Sequence, residues 1–309
     1  MPDAAEPPRV HKGPSRADFD AANEKINART GRPLLTAIIV GVGLGAALLL
    51  SLLIVKELFM LFAAALIVVA SFEFATALRV ANRKVPRIPV IIAAIAIVPA
   101  SFYAIDPEIG LTREAGQLIA ATGGIILITA WRLASLVLPS KRASLSLVVR
   151  DVGAGAFVVL YVMFLGSFFV LLTAHEGGQW WTLASLIVVV SVDTGAYATG
   201  LSFGKHPMAP SISPKKTWEG FAGSVAAAVL AGVLLALFML QQPWWVGVIL
   251  GLTIVLTATV GDLTESLIKR DLGTKDMSTW LPGHGGLLDR LDSALPSAAA
   301  AYALFIIFT

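Results

Sequence analysis

Long apolar stretches separated by short charged segments dominate this chain from residue 34 to its C-terminus. A helix needs about 20 mostly apolar residues to cross the hydrocarbon core of a bilayer. Nine stretches reach or approach that length, at 34–55, 58–78, 88–105, 115–138, 152–173, 180–201, 220–240, 244–261 and 290–309. The pattern therefore predicts an all-α polytopic membrane protein with about nine transmembrane helices.

The composition supports this prediction. The residues A, V, I, L, M, F, W, Y and C make up 57% of the 309 residues, whereas charged residues make up only 14%. An average soluble domain has about 25% charged residues, so a soluble fold, a disordered chain and a coiled coil are excluded. The chain has no cysteine, which also excludes disulfide frameworks, thiolate zinc sites and cysteine nucleophiles.

Basic residues indicate the side of the membrane on which each loop lies, because they collect in cytoplasmic loops. With a cytoplasmic N-terminus, 21 of the 23 Lys and Arg residues fall on the cytoplasmic side, and only Lys56 and Arg113 fall outside. An odd number of spans then places the C-terminus outside. The polar segment 1–33 lacks the pattern of a cleavable signal peptide. We interpret it as a cytosolic tail, with a short surface helix at 15–29 or disorder as alternatives.

The two halves of the membrane region differ in their loops. Residues 34–189 have short, chemically plain connections, whereas residues 190–309 contain two polar cytosolic segments, at 202–219 and 262–289, which are rich in Gly, Lys, Asp and Ser. We therefore expect the chemistry of the protein in residues 190–309, which we interpret as its catalytic region.

The first polar segment has features of an anion site. Asp193 lies in an otherwise apolar span, and acids in such positions usually face a cavity or a partner. The run Ser213-Pro-Lys-Lys-Thr217 joins two ammonium groups and two hydroxyls beside a turn. Lysine ammonium groups suit phosphate oxygens. The alternative is that these lysines only follow the general enrichment of basic residues in cytoplasmic loops.

The second polar segment predicts a metal site. Asp262 ends the eighth predicted span and Asp289 opens the ninth, so two carboxylates reach the same depth. Such oxygen ligands suit Mg²⁺, which usually takes one or two carboxylates together with substrate phosphates. On helical spacing, Asp262 shares a face with Ser266 and Lys269, and Asp289 shares one with Asp292.

A glycine-rich run precedes Asp289 and is typical of a phosphate cradle. Gly285 and Gly286 follow His284 just before the predicted helix. Glycines allow backbone N–H groups to approach an anion closely, and a helix N-terminus adds partial positive charge. His284 is a candidate phosphate donor or proton carrier, with a plain loop residue as the alternative.

Together these residues form one long motif. It consists of Ser266-Leu-Ile-Lys269-Arg270, then Lys275-Asp276, then Leu281-Pro-Gly-His284-Gly-Gly, and finally Asp289-Arg290-Leu-Asp292. The motif resembles the signature of the phosphatidate cytidylyltransferases, or CDP-diacylglycerol synthases, and Asp193-Thr-Gly-Ala-Tyr197 and Ser213-Pro-Lys-Lys-Thr217 resemble further segments of that family. The likeness is specific over 190–293. It is weaker at Met277-Ser-Thr-Trp280, a stretch where members often carry Gly.

The resemblance implies that CTP and phosphatidic acid react to give CDP-diacylglycerol and pyrophosphate, at the cytosolic face of a bacterial plasma membrane, in phospholipid biosynthesis. It implies Asp262 and Asp289 as Mg²⁺ ligands and leaves open a second, monovalent cation. Lys269, Arg270 and His284 complete the implied catalytic set. The residues implied to bind substrate are Asp193, Ser213, Lys215, Lys216, Thr217, Ser266, Lys275, Asp276, Gly285, Gly286, Arg290 and Asp292. The expected partners are the two substrates and the bilayer, without nucleic acid, and a homodimer stays open.

Two other functions remain as alternatives. Glu73, Arg132 and Asp193 lie near or within spans and motivate an ion-coupled secondary transporter. Transporters place their sites near the bilayer midplane, often between repeats, whereas the polar residues here concentrate at one face and no repeat is evident. The other alternative is a CTP-dependent polyprenol kinase.

The distribution of basic residues makes a prediction about topology. A reporter fused after Thr309 should be external, and a reporter inserted in the 205–216 loop should be cytosolic, because only an odd number of spans puts these sites on opposite sides. Alkaline phosphatase and fluorescent-protein fusions measure both positions in cells. A cytosolic C-terminus would mean that the number of spans is wrong by one.

Overall fold

The computed structural model describes residues 34–108, 110–137, 144–278 and 285–309. The predicted tail at 1–33 lies outside the described residues, as does His284. Apart from one small hairpin, the regular structure of the described residues is helical. This confirms the predicted all-α class.

The first part of the chain forms a series of helices. In order they are α1 (Leu34–Ile54), α2 (Lys56–Val80), α3 (Arg87–Tyr103), α4 (Arg113–Val137), α5 (Leu145–Val158) and α6 (Leu165–Ala174). A π-helical segment, Val159–Phe164, joins α5 to α6, so these three elements form one continuous rod. Only Val55 separates α1 from α2, as the short gap between the first two predicted spans requires.

The second part contains the hairpin and the remaining helices. In order they are α7 (Gly178–Phe203), β1 (Pro207–Ala209), β2 (Ser213–Thr217), α8 (Trp218–Phe238), α9 (Trp244–Asp271), α10 (Leu288–Leu291) and α11 (Ala294–Phe308). The strands β1 and β2 pair antiparallel. This hairpin is a structure that the sequence pattern did not predict.

Seven helical segments among the described residues are long and apolar enough to cross a membrane. They are α2, α4, the α5–α6 rod, α7, α8, α9 and the α10–α11 pair. Two further apolar helices are shorter, namely α3 and the described part of α1, Gly41–Ile54. A polytopic membrane protein is therefore the class of this fold, while the count of nine crossings stays a prediction.

The most extensive helix contacts are those of α8 with α7 and with α9, and small residues make the approach possible. A Cβ added at Gly232 of α8 would lie 2.3 Å from the carbonyl oxygen of Gly247 in α9, and one added at Gly247 would lie 2.4 Å from that of Gly232. Small residues of this kind let helix backbones touch in a membrane, where apolar contact alone does not favour one helix partner over lipid. The α8–α9 pair forms a rigid wall behind the hairpin.

Helix α9 is longer than the predicted span. It continues ten residues past 261 and ends at Asp271, so Asp262 lies within the helix and not at its end. The last predicted span is divided into α10 and α11 by Asp292 and Ser293. At this break a Cβ on Gly261 would lie 2.3 Å from the carbonyl oxygen of Asp292. The absence of a side chain at Gly261 therefore lets the two acidic segments meet.

A buried ion pair accounts for the arginine in the fourth predicted span. Arg132 of α4 contacts the Oδ2 atom of Asp151 in α5, and both side chains are buried. The other oxygen of Asp151 accepts the backbone N–H of Lys84, between α2 and α3, at 2.9 Å. Asp151 thus connects three segments at one end of the helix bundle.

Candidate active site

A polar cavity of about 290 Å³ lies between α7, the hairpin, α8 and α9. Asp193 of α7, Lys215 and Lys216 of β2, and Asp262 of α9 provide its charges, and Tyr197 is among its aromatic residues. These charged residues were all predicted as site residues. The structure therefore brings the first and second polar segments of the sequence together in one pocket.

An ion pair joins the hairpin to α9 at the wall of this cavity. The Nζ atom of Lys216 lies 2.5 Å from Oδ2 of Asp262. Ser266, one turn along α9, donates from its hydroxyl to Oδ1 of Asp262 at 3.3 Å. The predicted common face of Asp262 and Ser266 is confirmed, and Lys216 supplies the positive charge that the Asp262 carboxylate faces.

Asp289 is surrounded by donors from three parts of the chain. The Nζ atom of Lys269 lies 3.1 Å from Oδ1. The backbone N–H groups of Gly286 and Met277 donate to Oδ2 at 2.7 and 3.1 Å. Asp289 is held in one orientation because each donor comes from a different backbone segment.

Glu265 is a fully buried acid that the sequence interpretation missed. It lies one helical turn before Lys269, and the Nζ atom of Lys269 is 2.6 Å from its Oε2 atom. Glu265 also interacts with the side chains of Asp289 and Asp292. The spacing of four residues between an acid and a lysine was the signal that would have found it.

Glu73 is the other missed residue, and it comes from the first half of the chain. It is 2% exposed. Its Oε1 atom accepts the Ser278 hydroxyl at 2.6 Å, and its Oε2 atom accepts the backbone N–H of Leu288 at 3.0 Å. Glu73 therefore binds both sides of the segment 279–287. The sequence shows Glu73 as an acid within an apolar span, but that feature was interpreted as a sign of a transporter.

The positions of Asp289 and Glu73 require glycine at the two residues that follow His284. Gly285 has a φ of +87°, a conformation that favours glycine. A Cβ at Gly286 would lie 3.0 Å from Oδ2 of Asp289 and 3.1 Å from Oε2 of Glu73. Because a side chain would crowd both carboxylates, glycine at these positions leaves the backbone N–H groups facing the acids. The predicted cradle therefore binds the protein's own carboxylates.

Several other predicted residues have structural contacts of their own. The Thr217 hydroxyl caps α8 by accepting the backbone N–H of Gly220 at 3.1 Å. Arg270 donates from Nε to the carbonyl of Ile212 at 3.3 Å, and thus binds the hairpin. Ser213 begins β2 and lies outside the lining of the polar cavity, whereas Thr217 is part of that lining.

The remaining predicted residues lie around the acidic segment. Lys275 and Asp276 are exposed, and Oδ1 of Asp276 would be 3.3 Å from a Cβ at Gly285. Asp292 accepts the backbone N–H of Ser293 at 2.6 Å and interacts electrostatically with Asp262 and Asp193. Asp292 thus lies in the same electrostatic environment as Asp262 and Asp193.

A second, mostly apolar cavity of about 460 Å³ adjoins the site. Helices α1, α2, α6, α7, α10 and α11 line it with side chains such as Phe59 and Phe169. Its charged lining residues are Asp193 and Arg290. Asp193 therefore borders both the polar and the apolar cavity.

The charges of the site fit a divalent cation. Asp262, Glu265, Asp289 and Asp292 provide four carboxylates, while Lys216 and Lys269 are the ammonium groups in contact with them. Among the described residues no three acidic or histidine side chains are grouped closely enough to hold a metal by themselves. A Mg²⁺ ion at this site would therefore depend on one or two carboxylates, completed by substrate phosphates and water.

The fold and this site define a polytopic membrane protein with an acidic and basic pocket at one end of its helix bundle. Comparison with known proteins agrees with that class. The model of the cytidylyltransferase family matches residues 35–308. The chain therefore belongs to the cytidylyltransferase family.

Two relatives match nearly the whole chain, and a third matches less than half of it. The phosphatidate cytidylyltransferase of Mycobacterium bovis is 40% identical over 283 residues, which are 89% of this chain and 89% of that protein. The phosphatidate cytidylyltransferase of Mycobacterium leprae is 38% identical over 291 residues, which are 91% and 90%. That of Brucella suis is 41% identical over 139 residues, which are 45% and 52%.

The contacts of Glu73 make a prediction about backbone order at Gly285–Leu288, the described part of the glycine-rich segment 279–288. Replacing Glu73 with Gln keeps one acceptor but turns an N–H₂ group toward one of the two donors. A buried donor without a partner costs about 1–3 kcal/mol. We expect the backbone amides of Gly286 and Leu288 to exchange hydrogen at least ~10-fold faster, measured by mass spectrometry.

Ser71→Ala is the matched control for this experiment. Ser71 is on the same helix and fully buried, and its hydroxyl has no hydrogen-bond partner among the described residues. Exchange in the glycine-rich segment should be unchanged in this variant. Unaltered exchange in Glu73→Gln would contradict the role of Glu73 in holding the segment.

Proposed function

We propose that this protein transfers the cytidylyl group of CTP to phosphatidic acid, giving CDP-diacylglycerol and pyrophosphate. The observation that carries the proposal is the pair of cavities that share Asp193. One is polar and carries lysines, and the other is apolar and carries an arginine. A water-soluble polyanion and an anionic lipid therefore each have a matching cavity, and the two cavities meet at one carboxylate.

The polar cavity suits the nucleotide. Lys215 and Lys216 project from one strand and offer two ammonium groups for phosphate oxygens. Tyr197 and Phe221 line the same space and supply aromatic surface for a base. Lys275 and His284, which the family motif assigns to the site, extend this phosphate-binding set in our proposal.

The apolar cavity suits the lipid. Its walls are aliphatic and aromatic side chains from six helices, and its polar end carries Arg290 and Asp193. A guanidinium group binds phosphate through paired N–H donors. We therefore assign the acyl chain of phosphatidic acid to this cavity and its phosphate to Arg290.

The reaction forms a bond between a phosphate oxygen of the lipid and the α-phosphorus of CTP, and breaks the bond from that phosphorus to the β-phosphate oxygen. The attacking oxygen is already anionic near neutral pH, so no strong base is needed. Positioning and neutralisation of charge supply most of the catalysis in such transfers. Lys216 and Lys269 neutralise phosphate charge, and Arg290 orients the lipid.

Asp262 and Asp289 are the proposed Mg²⁺ ligands. The bound ion would neutralise charge on the phosphates and on the leaving pyrophosphate. In the structure an ammonium group contacts each of these carboxylates. Lys216 and Lys269 are thus placed to exchange a carboxylate partner for a phosphate oxygen when substrates bind.

We place the site at the cytosolic face of a bacterial plasma membrane. Support comes from Lys56 and Arg113, the two basic residues predicted to be external. Lys56 donates to the carbonyl of His175 at 2.7 Å, and Arg113 donates to that of Phe102 at 2.9 Å. Both contacts are at the ends of helices α3 and α6, on the side of the bundle away from the hairpin. The basic site residues thus share the opposite, cytosolic side.

Two of the residues that motivated the transporter hypothesis, Arg132 and Glu73, have partners within the protein. Arg132 is paired with Asp151, and Glu73 holds the glycine-rich segment. Neither is left facing an aqueous path through the membrane. The charged residues that do line a cavity lie at one end of the bundle.

Turnover of the purified protein tests the proposal. With CTP, Mg²⁺ and phosphatidic acid in detergent, pyrophosphate should be released in equal amount to the CDP-diacylglycerol formed, and neither should form without the lipid. If undecaprenol serves as the acceptor and CDP is released instead of pyrophosphate, the protein would be a polyprenol kinase. Pyrophosphate release without any lipid acceptor would contradict a transfer reaction.

The two proposed metal ligands should behave alike in that assay. Asp262→Asn and Asp289→Asn keep the shape of the side chain but remove the charge on which a hard divalent cation depends. Each should lower turnover by ~100-fold or more, and the double variant should be hardly worse than either single one.

Asp276→Asn is the matched control, because it removes a motif carboxylate that we do not assign to the metal. It should retain measurable activity with a raised Mg²⁺ requirement. A Mg²⁺ titration of product formation compares the wild type with the three single variants and the double variant. Near wild-type turnover of Asp262→Asn or Asp289→Asn at ordinary Mg²⁺ would rule out the two-carboxylate site.

A further inference from the structure

A third cavity, of about 550 Å³, lies between α2, α5 and the last turns of α9. It shares no lining residue with the two cavities of the active site. It is also larger than the polar cavity, and its volume lies in the range of ordinary ligand sites. The proposed reaction makes no use of it.

Two arginines mark the polar end of this cavity. Arg83 and Arg150 both line it, and their side chains are 37% and 43% exposed. Nη2 of Arg150 donates to the carbonyl of Asn82 at 2.5 Å, and Nη2 of Arg83 lies 3.8 Å from Asp271. A guanidinium has five N–H donors, so these contacts with described residues use only a small part of the donor capacity.

The balance of charge at this end is positive. Asp271 is the acid that lines the cavity, and its side chain is 72% exposed. The other nearby acid, Asp151, is buried and paired with Arg132, and its Oδ1 atom lies 3.9 Å from Nη2 of Arg150. Two guanidinium groups therefore face the opening against one solvated carboxylate.

The rest of the cavity is apolar and open toward the outside of the bundle. Phe74 and Leu78 of α2 form its floor, and both are buried. Phe157 of α5 and Leu267 of α9 flank the opening at 39% and 52% exposure. The cavity thus has the two parts of an amphiphile site, a cationic end and an apolar groove.

We propose that this cavity binds an anionic glycerophospholipid of the surrounding bilayer, with its phosphate on Arg83 and Arg150 and an acyl chain along Phe74, Phe157 and Leu267. Basic pockets between membrane helices at the cytosolic side bind anionic head groups in this manner. The lipid would lie behind the active site, because Phe74 follows Glu73 and Leu267 is two residues before Lys269. This site is separate from the one that we assign to the lipid substrate.

The absence of cysteine from the chain permits a direct test with a single fluorescent label. Gly153 lines the cavity, and a Cβ added there meets no atom within 4 Å, so Gly153→Cys should fold normally. The labelled full-length protein is placed in phosphatidylcholine nanodiscs. Quenching is then titrated with phosphatidylglycerol or phosphatidylcholine that carries the same spin label on an acyl chain.

We expect phosphatidylglycerol to give half-maximal quenching at a mole fraction at least about fivefold lower than phosphatidylcholine does. Each basic residue raises the affinity for an anionic lipid by about that factor. Adding Arg83→Gln and Arg150→Gln should abolish the difference. Gly123→Cys, where an added Cβ also meets no atom within 4 Å, is the control position and should show no preference. Leu267→Cys provides a second label position in the cavity.

Three results would overturn the proposal. Equal quenching by the two lipids at both cavity positions would mean that the arginines do not select an anionic lipid. Loss of the preference on adding soluble glycerol phosphate would indicate a site for a free anion. Disulfide cross-linking between unlabelled Gly153→Cys chains, with no quenching by either lipid, would indicate that a second copy covers the cavity. None of these readouts depends on the proposed transfer reaction.

Discussion

Pairing of buried and half-buried carboxylates with donors from distant segments is the constraint on which this site depends. An acid in or beside an apolar membrane helix is costly unless it has a partner. Lys216 satisfies Asp262 and thereby fixes the hairpin against α9. Lys269 connects α9 to Asp289 of α10. Glu73 receives donors from either side of the glycine-rich segment, so the first half of the chain supports a site built mainly from the second half.

The same pairing relates structure to the proposed chemistry. Lys216 and Lys269, which neutralise carboxylates of the site, are also placed to neutralise phosphates in the proposed reaction. Asp193 lies where the polar and apolar cavities meet. In the proposed reaction, the nucleotide and the lipid would therefore meet near Asp193.

Much of this arrangement was predictable from local sequence. Apolar stretches of membrane length predicted the positions of most helices. The predicted common face of Asp262 and Ser266 is present in α9. The predicted span 244–261, however, ends ten residues before the C-terminal end of α9. That helix continues to Asp271 because its polar last turns contain Lys, Arg and Leu, which favour a helix in water as well. A hydropathy criterion ends where the apolar residues end, whereas the helix does not.

The rest of the site depends on contacts that no local pattern contains. Glu73 binds Ser278 and Leu288, which lie 205 and 215 positions further along the sequence. Its role therefore follows only from the packing of α2 against α10. The hairpin at 207–217 consists of two short strands whose sequence has no alternation of apolar and polar residues. Its position follows from the Lys216 ion pair with Asp262 and from the contact of Arg270 with Ile212.

Direct observation of a metal at the acidic cluster tests the central claim. Mn²⁺ replaces Mg²⁺ as a paramagnetic probe, and electron paramagnetic resonance of the purified protein with CTP measures its binding and its coupling to phosphorus. The account predicts one tightly bound Mn²⁺ with ³¹P coupling from the nucleotide, which is lost in both Asp262→Asn and Asp289→Asn. A bound Mn²⁺ with the same ³¹P coupling in either variant would contradict it.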